Sequence, residues 1–126
     1  MKTTKHLRMT RGETFTETLV VTDDNGAPID ITGYTAYFAI TADMKLPTAL
    51  LELDSAGRGG CVLSDQSTAP GKYVATVTPA QNGTWVAAGD DDPYFYEAWV
   101  VSPGGVRIEV RALSKLALDP SFTTIP

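Results

Sequence analysis

Apolar and polar side chains alternate along much of this chain with a period of two residues, the pattern of strands covered by a core on one side. From Glu13 to Thr22, Phe15, Leu19 and Val21 fall on one side of the pleat, and Thr14, Thr16 and Thr18 fall on the other. Tyr34, Ala36, Phe38 and Ile40 alternate in the same way with Thr35, Tyr37, Ala39 and Thr41. Shorter runs follow at Leu50–Asp54, Cys61–Leu63 and Gly71–Thr78, the last with Tyr73, Ala75 and Val77 toward a core. Pro93 to Val101 is bulky on both sides: Tyr94, Tyr96, Ala98 and Val100 oppose Phe95, Glu97, Trp99 and Val101. Such a run is a central strand, or one whose outer face meets something apolar. Val106, Ile108, Val110 and Ala112 then alternate with Arg107, Glu109 and Arg111, and His6, Leu7 and Met9 suggest a short first strand ended by Arg11-Gly12.

Between these runs lie turn signals. Asn25-Gly26 joins the two residues that most readily take positive φ, which predicts a tight type I′ reversal, and Asp30-Ile31-Thr32-Gly33 makes a second bend. Asp43 to Thr48 reads as a loop around Pro47, Ser55 to Gly60 as a hairpin loop, Asp65 to Pro70 as a polar connection and Ser102 to Gly105 as a hairpin turn. One helix start stands out. Thr78-Pro79-Ala80-Gln81 has a threonine N-cap, proline at the first helical position and glutamine three residues after the cap. It predicts one or two helical turns between Pro79 and about Ala88, interrupted or weakened by Gly83 and ended near Gly89, that cross between two sheets with Trp85 tucked beneath. About seven short strands and one helical crossover amount to an all-β antiparallel sandwich.

At 126 residues the chain is the size of one domain with a real core. No apolar run reaches the length of a membrane span, and Met1-Lys2-Thr3-Thr4-Lys5 lacks the apolar middle of a signal peptide, so a soluble protein made in a cytoplasm is expected. A single cysteine, Cys61, can form no intrachain disulfide and reads as a small buried apolar residue. Charge divides unevenly: Lys2, Lys5, Arg8 and Arg11 give residues 1–11 a charge of +4 with no acid, so the other 115 residues carry −9 of the net −5. The organisation read from this is a basic arm at 1–11, a sandwich at 12–118 and a tail at 119–126. An acidic body repels phosphate, which argues against nucleic-acid binding. The arm is either a solvated terminus or a segment that lies on the acidic surface of a neighbouring copy or partner.

Few residues suggest chemistry. His6, the one histidine, has no carboxylate or second ligand beside it. Gly57-Arg58-Gly59-Gly60 leads into a strand instead of a helix, so it reads as a turn and not a phosphate loop. Asp90-Asp91-Asp92 lacks the alternate spacing of calcium loops and reads as a solvated acidic loop, with a loose cation site or a dock for a basic arm as the alternative. One histidine, one cysteine and no paired carboxylates at strand ends leave hydrolase or metal chemistry without parts, so no catalytic, cofactor or metal residues are assigned and no membrane contact is expected. The candidate partner-binding residues are Lys2, Lys5, Arg8 and Arg11 in the arm, Asp90, Asp91 and Asp92 in the acidic loop, and Phe95 and Trp99 on the two-faced strand.

Two long successions resemble small structural proteins of tailed bacteriophages. They are Arg11-Gly12-Glu13-Thr14-Phe15 and Asp23-Asp24-Asn25-Gly26-Ala27-Pro28-Ile29-Asp30-Ile31-Thr32-Gly33-Tyr34, each opening a strand. Gly71-Lys72-Tyr73, Thr78-Pro79-Ala80-Gln81, Tyr94-Phe95-Tyr96-Glu97 and Gly104-Gly105-Val106 extend the likeness over nearly the whole chain. The chain is similar to the immunoglobulin-like N-terminal module of phage baseplate upper proteins. The resemblance implies an immunoglobulin-like sandwich and a virion structural protein, a tail or baseplate adaptor or assembly subunit that binds other phage structural proteins and forms a homo-oligomer on a symmetric particle. A capsid decoration protein and a carbohydrate-binding sandwich using exposed tryptophan are the alternatives.

Overall fold

The computed structural model describes residues 4–42, 50–83, 85 and 94–119. Eight strands and one short helix follow in the order β1 (Leu7–Thr10), β2 (Phe15–Val20), β3 (Thr35–Thr41), β4 (Leu51–Asp54), β5 (Cys61–Leu63), β6 (Lys72–Val77), α1 (Pro79–Asn82), β7 (Tyr94–Val101) and β8 (Arg107–Asp119). They form a five-stranded sheet in the order β1-β8-β7-β3-β4 and a three-stranded sheet in the order β2-β6-β5. In an immunoglobulin sandwich β2, β6 and β5 are strands B, E and D, β3, β7 and β8 are C, F and G, and β4 is the added C′. The named strand pairs are antiparallel except β1–β8, which is parallel.

Residues 7–10 of the expected arm are therefore a strand of the larger sheet, with Leu7 and Met9 buried in the core. The sandwich begins before Gly12, because apolar side chains at alternate positions outweigh the flanking lysines and arginines. Its last strand runs through Asp119, one residue into the expected tail.

The two sheets face one another through Leu19, Tyr73 and Val77 on the smaller and Phe38, Ile40, Tyr96, Val100 and Leu116 on the larger, all buried. Phe38 and Tyr96 stack within that layer at 5.3 Å. The chain has a single cysteine, Cys61, so no disulfide joins the sheets. Polar ties bridge them instead: the Tyr73 hydroxyl donates to the Tyr37 carbonyl (3.0 Å), and Arg111 reaches Glu17 (2.8 Å). Alternation places Arg111 on the side opposite Val110, yet both turn toward the core. The pairing of β7 with β8 shifts register between Tyr96 and Ala98 and again between Ala98 and Trp99. These bulges put two residues of one strand against one of the other and re-aim the side chains between them.

The corners follow their local chemistry with two corrections. Gly26 has φ 84 but Asn25 is not positive, so the first reversal is not type I′. A Gly26 N to Asp23 O bond (3.0 Å) and an Asp23 N to Ala27 O bond (2.8 Å) make it a three-residue loop closed by a left-handed glycine, with the Asp23 carboxylate accepting from Asn25 N and Ala27 N. Asx bonding favours right-handed geometry at the residues that follow, and the glycine alone supplies the positive φ. Ser102–Val106 repeats this arrangement with Gly105 at φ 87. The second correction concerns Ser55–Gly60, which carries the chain from the larger sheet to the smaller and is no simple hairpin. The capping box of α1 forms as expected, Gln81 N donating to Thr78 Oγ1 and Thr78 N to Gln81 Oε1. The helix is a single turn, and the residues expected to extend it at 84 and 86–88 lie outside the described ones. It does lead from the smaller sheet to the larger, with Trp85 packed against the core and tilted on Tyr94 at 5.8 Å.

Gly71 is the corner with the least room. At φ 79, an added Cβ would lie 2.5 Å from the Val21 carbonyl oxygen and 3.1 Å from that of Ile29. Gly71→Ala is expected to cost about 2–4 kcal/mol by urea unfolding, and Gly26→Ala, with φ 84 and open space, about 1 kcal/mol.

Candidate interaction surface

Strand β7 is central, with β3 on one side and β8 on the other, so its outward side chains meet neighbours from both. Trp99 pairs across to Tyr37, and the two rings lie 5.0 Å apart and within 6° of parallel. From β8, the Arg107 guanidinium sits 4.4 Å from the centre of the Trp99 ring. Because β3 and β8 flank β7 on opposite sides, Tyr37 and Arg107 cover opposite faces of the indole. Cation–π and stacking attractions hold the three side chains upright on the sheet. Phe95, half-buried on the same outward face, lies between Thr41 and Lys115.

Glu97 stands between Phe95 and Trp99, 3.4 Å from Arg107. Partial burial pushes its carboxyl above the ordinary range, the Arg107 charge opposes this, and a hydrogen bond and charge from Glu109 add to it. Two carboxyl groups are thus adjacent on this face, a pairing the sequence reading missed because Glu97 and Glu109 belong to different strands. They stand on the outer surface of a sheet and not at a strand end.

The described basic residues of the N-terminal segment, Lys5, Arg8 and Arg11, each engage their own chain. Arg8 lies on the same outer face as Phe95 and Trp99 and pairs with Asp119 at 2.9 Å. Arg11 donates to the Trp85 carbonyl (3.3 Å), and its backbone N–H to that of Asp119 (2.9 Å). Lys5 turns to the opening between the sheets and pairs with Glu17 at 3.3 Å. Lys2, Asp90, Asp91 and Asp92 lie outside the described residues. Of the candidates, the fold brings Arg8, Phe95 and Trp99 to one surface and sends Lys5 and Arg11 elsewhere.

Alternation alone also passed over Glu17, which occupies an inward position of β2 between Phe15 and Leu19 and is 7% exposed. Arg111 Nη1 donates to Glu17 Oε2 (2.8 Å) and to the Tyr96 hydroxyl (3.0 Å). That hydroxyl donates in turn to the Lys5 carbonyl (2.6 Å), and Lys5 N donates to Ser114 Oγ (3.4 Å). Burial raises the Tyr96 hydroxyl, against the lowering effect of the Arg111 hydrogen bond. This network is structural, since its polar groups face one another.

The remaining candidates resolve into structure. Cys61 is buried, and desolvation followed by the Asp54 charge pushes its thiol up to about 12, a poor nucleophile at neutral pH. In the glycine-rich loop the Asp54 carboxylate accepts from the backbone N–H groups of Ala56 (2.9 Å), Arg58 (3.1 Å) and Gly59 (3.3 Å). Amides that could cradle a phosphate already hold a carboxylate. A shallow depression of about 470 Å³ near Asp30 and Asp65 contains Gln66. Its amide ties Ile31 N, Gly71 N, Ser64 O and Lys72 O together at 2.7–3.1 Å and thus joins two loops. Among the described residues no three His, Cys, Asp or Glu side chains converge as metal ligands.

No family model matches this chain, and no curated protein matches it. Among solved structures it is similar to a chain in the crystal structure of ICOS in complex with ICOS-L and an anti ICOS-L VNAR domain, at 14% identity and a TM-score of 0.45. The match covers 95% of this chain and 56% of that one, so this chain spans about half its length. The immunoglobulin-like assignment rests on the strand order and pairing given above.

The Glu97 carboxyl gives a pH test of this surface. Its folded value lies above its unfolded one, so the fold favours the protonated form. The associated stability is present below about pH 4 and is lost as pH rises through the raised value. Glu97→Gln is therefore expected to leave stability nearly unchanged at low pH and to raise it at pH 7, by at most about 1 kcal/mol because solvent screens the site. Thermal unfolding from acid to neutral pH checks the sign.

Proposed function

We propose that this chain is a non-catalytic structural subunit of a tailed-phage virion, a tail or baseplate adaptor that works by binding other structural proteins. One observation carries the binding surface: the Tyr37–Trp99–Arg107 stack, with Phe95 on the same strand, presents aromatic and arginine side chains held rigid on a central strand. Tryptophan, tyrosine and arginine are the residue types that dominate protein–protein hot spots, and side chains already ordered lose little entropy on binding. The virion assignment draws on the sequence resemblance to phage structural modules, which spans the turns and strand openings of the whole chain. Head decoration would use the same surface.

A sugar-binding role at Trp99 has less support. Carbohydrate stacking needs an open aromatic face, and both faces of this indole are occupied by Tyr37 and Arg107. Trp85 is packed against the core.

Particles assembled with Trp99→Ala or Arg107→Ala in place of the native chain, quantified by mass spectrometry, test the proposal. Incorporation is expected to fall at least about tenfold while circular dichroism stays unchanged, as loss of a hot spot would give. Undiminished incorporation, or glycan binding abolished by Trp99→Ala, would contradict it.

A further inference from the structure

The four sheet edges are unequally protected. In the larger sheet, β1 carries Arg8 and β4 carries Glu52, which is paired with Arg58. In the smaller sheet β5 has only three residues, whereas β2 has six, with no proline. Charges, short length and proline are the usual means of preventing edge-to-edge pairing. By these measures β2 is the open edge.

Its backbone polarity is fixed by its one neighbour. Val21 N donates to Gly71 O at 2.8 Å, in line with the β2–β6 register, so the odd-numbered residues of β2 direct their amides and carbonyls toward β6. Thr16, Thr18 and Val20 direct theirs the other way, and among the described residues no strand lies on that side. The same three side chains face outward and are exposed. They continue into Val74 and Thr76 on β6 and Val62 on β5, which is 68% exposed, with Lys72 the one charged side chain pointing outward from these three strands. Depletion of charge marks the centre of an interface, and here it occurs on a chain of net charge −5.

We infer that β2 joins two copies of this chain, pairing antiparallel with β2 of the second copy about a twofold axis at Thr18. The register is self-complementary: Thr18 faces Thr18 of the second copy and Thr16 faces its Val20, and each such pair exchanges two hydrogen bonds. Two acidic bodies approach most readily where neither presents acid, and this strip meets that condition. An inward-pointing charge on an edge strand normally resists coverage because it needs water. Glu17 already has Arg111 and Lys5, so a second strand strands no charge. Pairing of one short edge buries less than a standard interface, so the free dimer is weak and gains from repetition on a particle.

The inference adds self-association to the proposed role as an assembly subunit, and the two can fail separately. Sedimentation velocity of the full chain from about 20 µM to about 1 mM is expected to give a concentration-dependent dimer. Thr18→Lys, which sets two like charges face to face, is expected to weaken that dimer at least about tenfold with an unchanged circular dichroism spectrum, and Thr18→Val to retain it. A wild-type monomer throughout the range, or a Thr18→Lys dimer as strong as wild type, would overturn the inference and leave the particle experiment unaffected. A dimer lost in Thr18→Lys while particle incorporation is insensitive to Trp99 would uphold it and remove the hot-spot reading.

Discussion

The ion pair between Glu17 and Arg111 links the parts of this fold that strand pairing leaves unconnected. Glu17 belongs to the three-stranded sheet and Arg111 to the five-stranded one, and their side chains are 9% and 12% exposed. Two buried charges are unfavourable apart and tolerable only when each satisfies the other. The constraint acts outward from there: it goes with a register shift in β8, which turns Arg111 inward, and with an ordered Lys5, whose carbonyl receives the Tyr96 hydroxyl. An apolar pair of equal volume would pack about as stably. What the charges specify is which residues of β8 face inward and where the chain enters β1.

Polar contacts add to strand pairing and apolar burial in tying the N-terminal segment to the body. Lys5, Arg8 and Arg11 each have a partner on their own chain, in Glu17, Asp119 and the Trp85 carbonyl. A run of four cations with no acid looks like a free arm when sequence neighbours are the reference. In three dimensions the relevant acids are supplied by strands far along the chain. The surfaces proposed for contact with other proteins are instead the aromatic stack of the larger sheet and the β2 edge of the smaller one.

Much of the architecture was legible in the sequence because period-two alternation and turn residues are local signals. The inward sides of β3, β6 and β7 and the capping box at Thr78 follow from residue spacing alone. What escaped was non-local. Arg111 follows the alternation of its neighbours until a bulge against β7 breaks the phase, and nothing in Glu109-Val110-Arg111 marks the bulge. Glu17 was hidden by its type, since a carboxylate at an inward position is readable only once its partner is known. On the candidate surface Trp99 and Phe95 were found from bulk on both sides of one strand, but Tyr37 and Arg107 come from the neighbours of β7 and needed the strand order.

A double-mutant cycle on Glu17 and Arg111, followed by urea unfolding, tests most directly whether this pair acts as described. Arg111→Met alone is expected to cost about 3 kcal/mol, because Glu17 stays buried with only Lys5 beside it, and Glu17→Leu with Arg111→Met is expected to recover most of that loss. Single effects that sum to the double within about 0.5 kcal/mol would contradict the account, since the two side chains would then contribute independently.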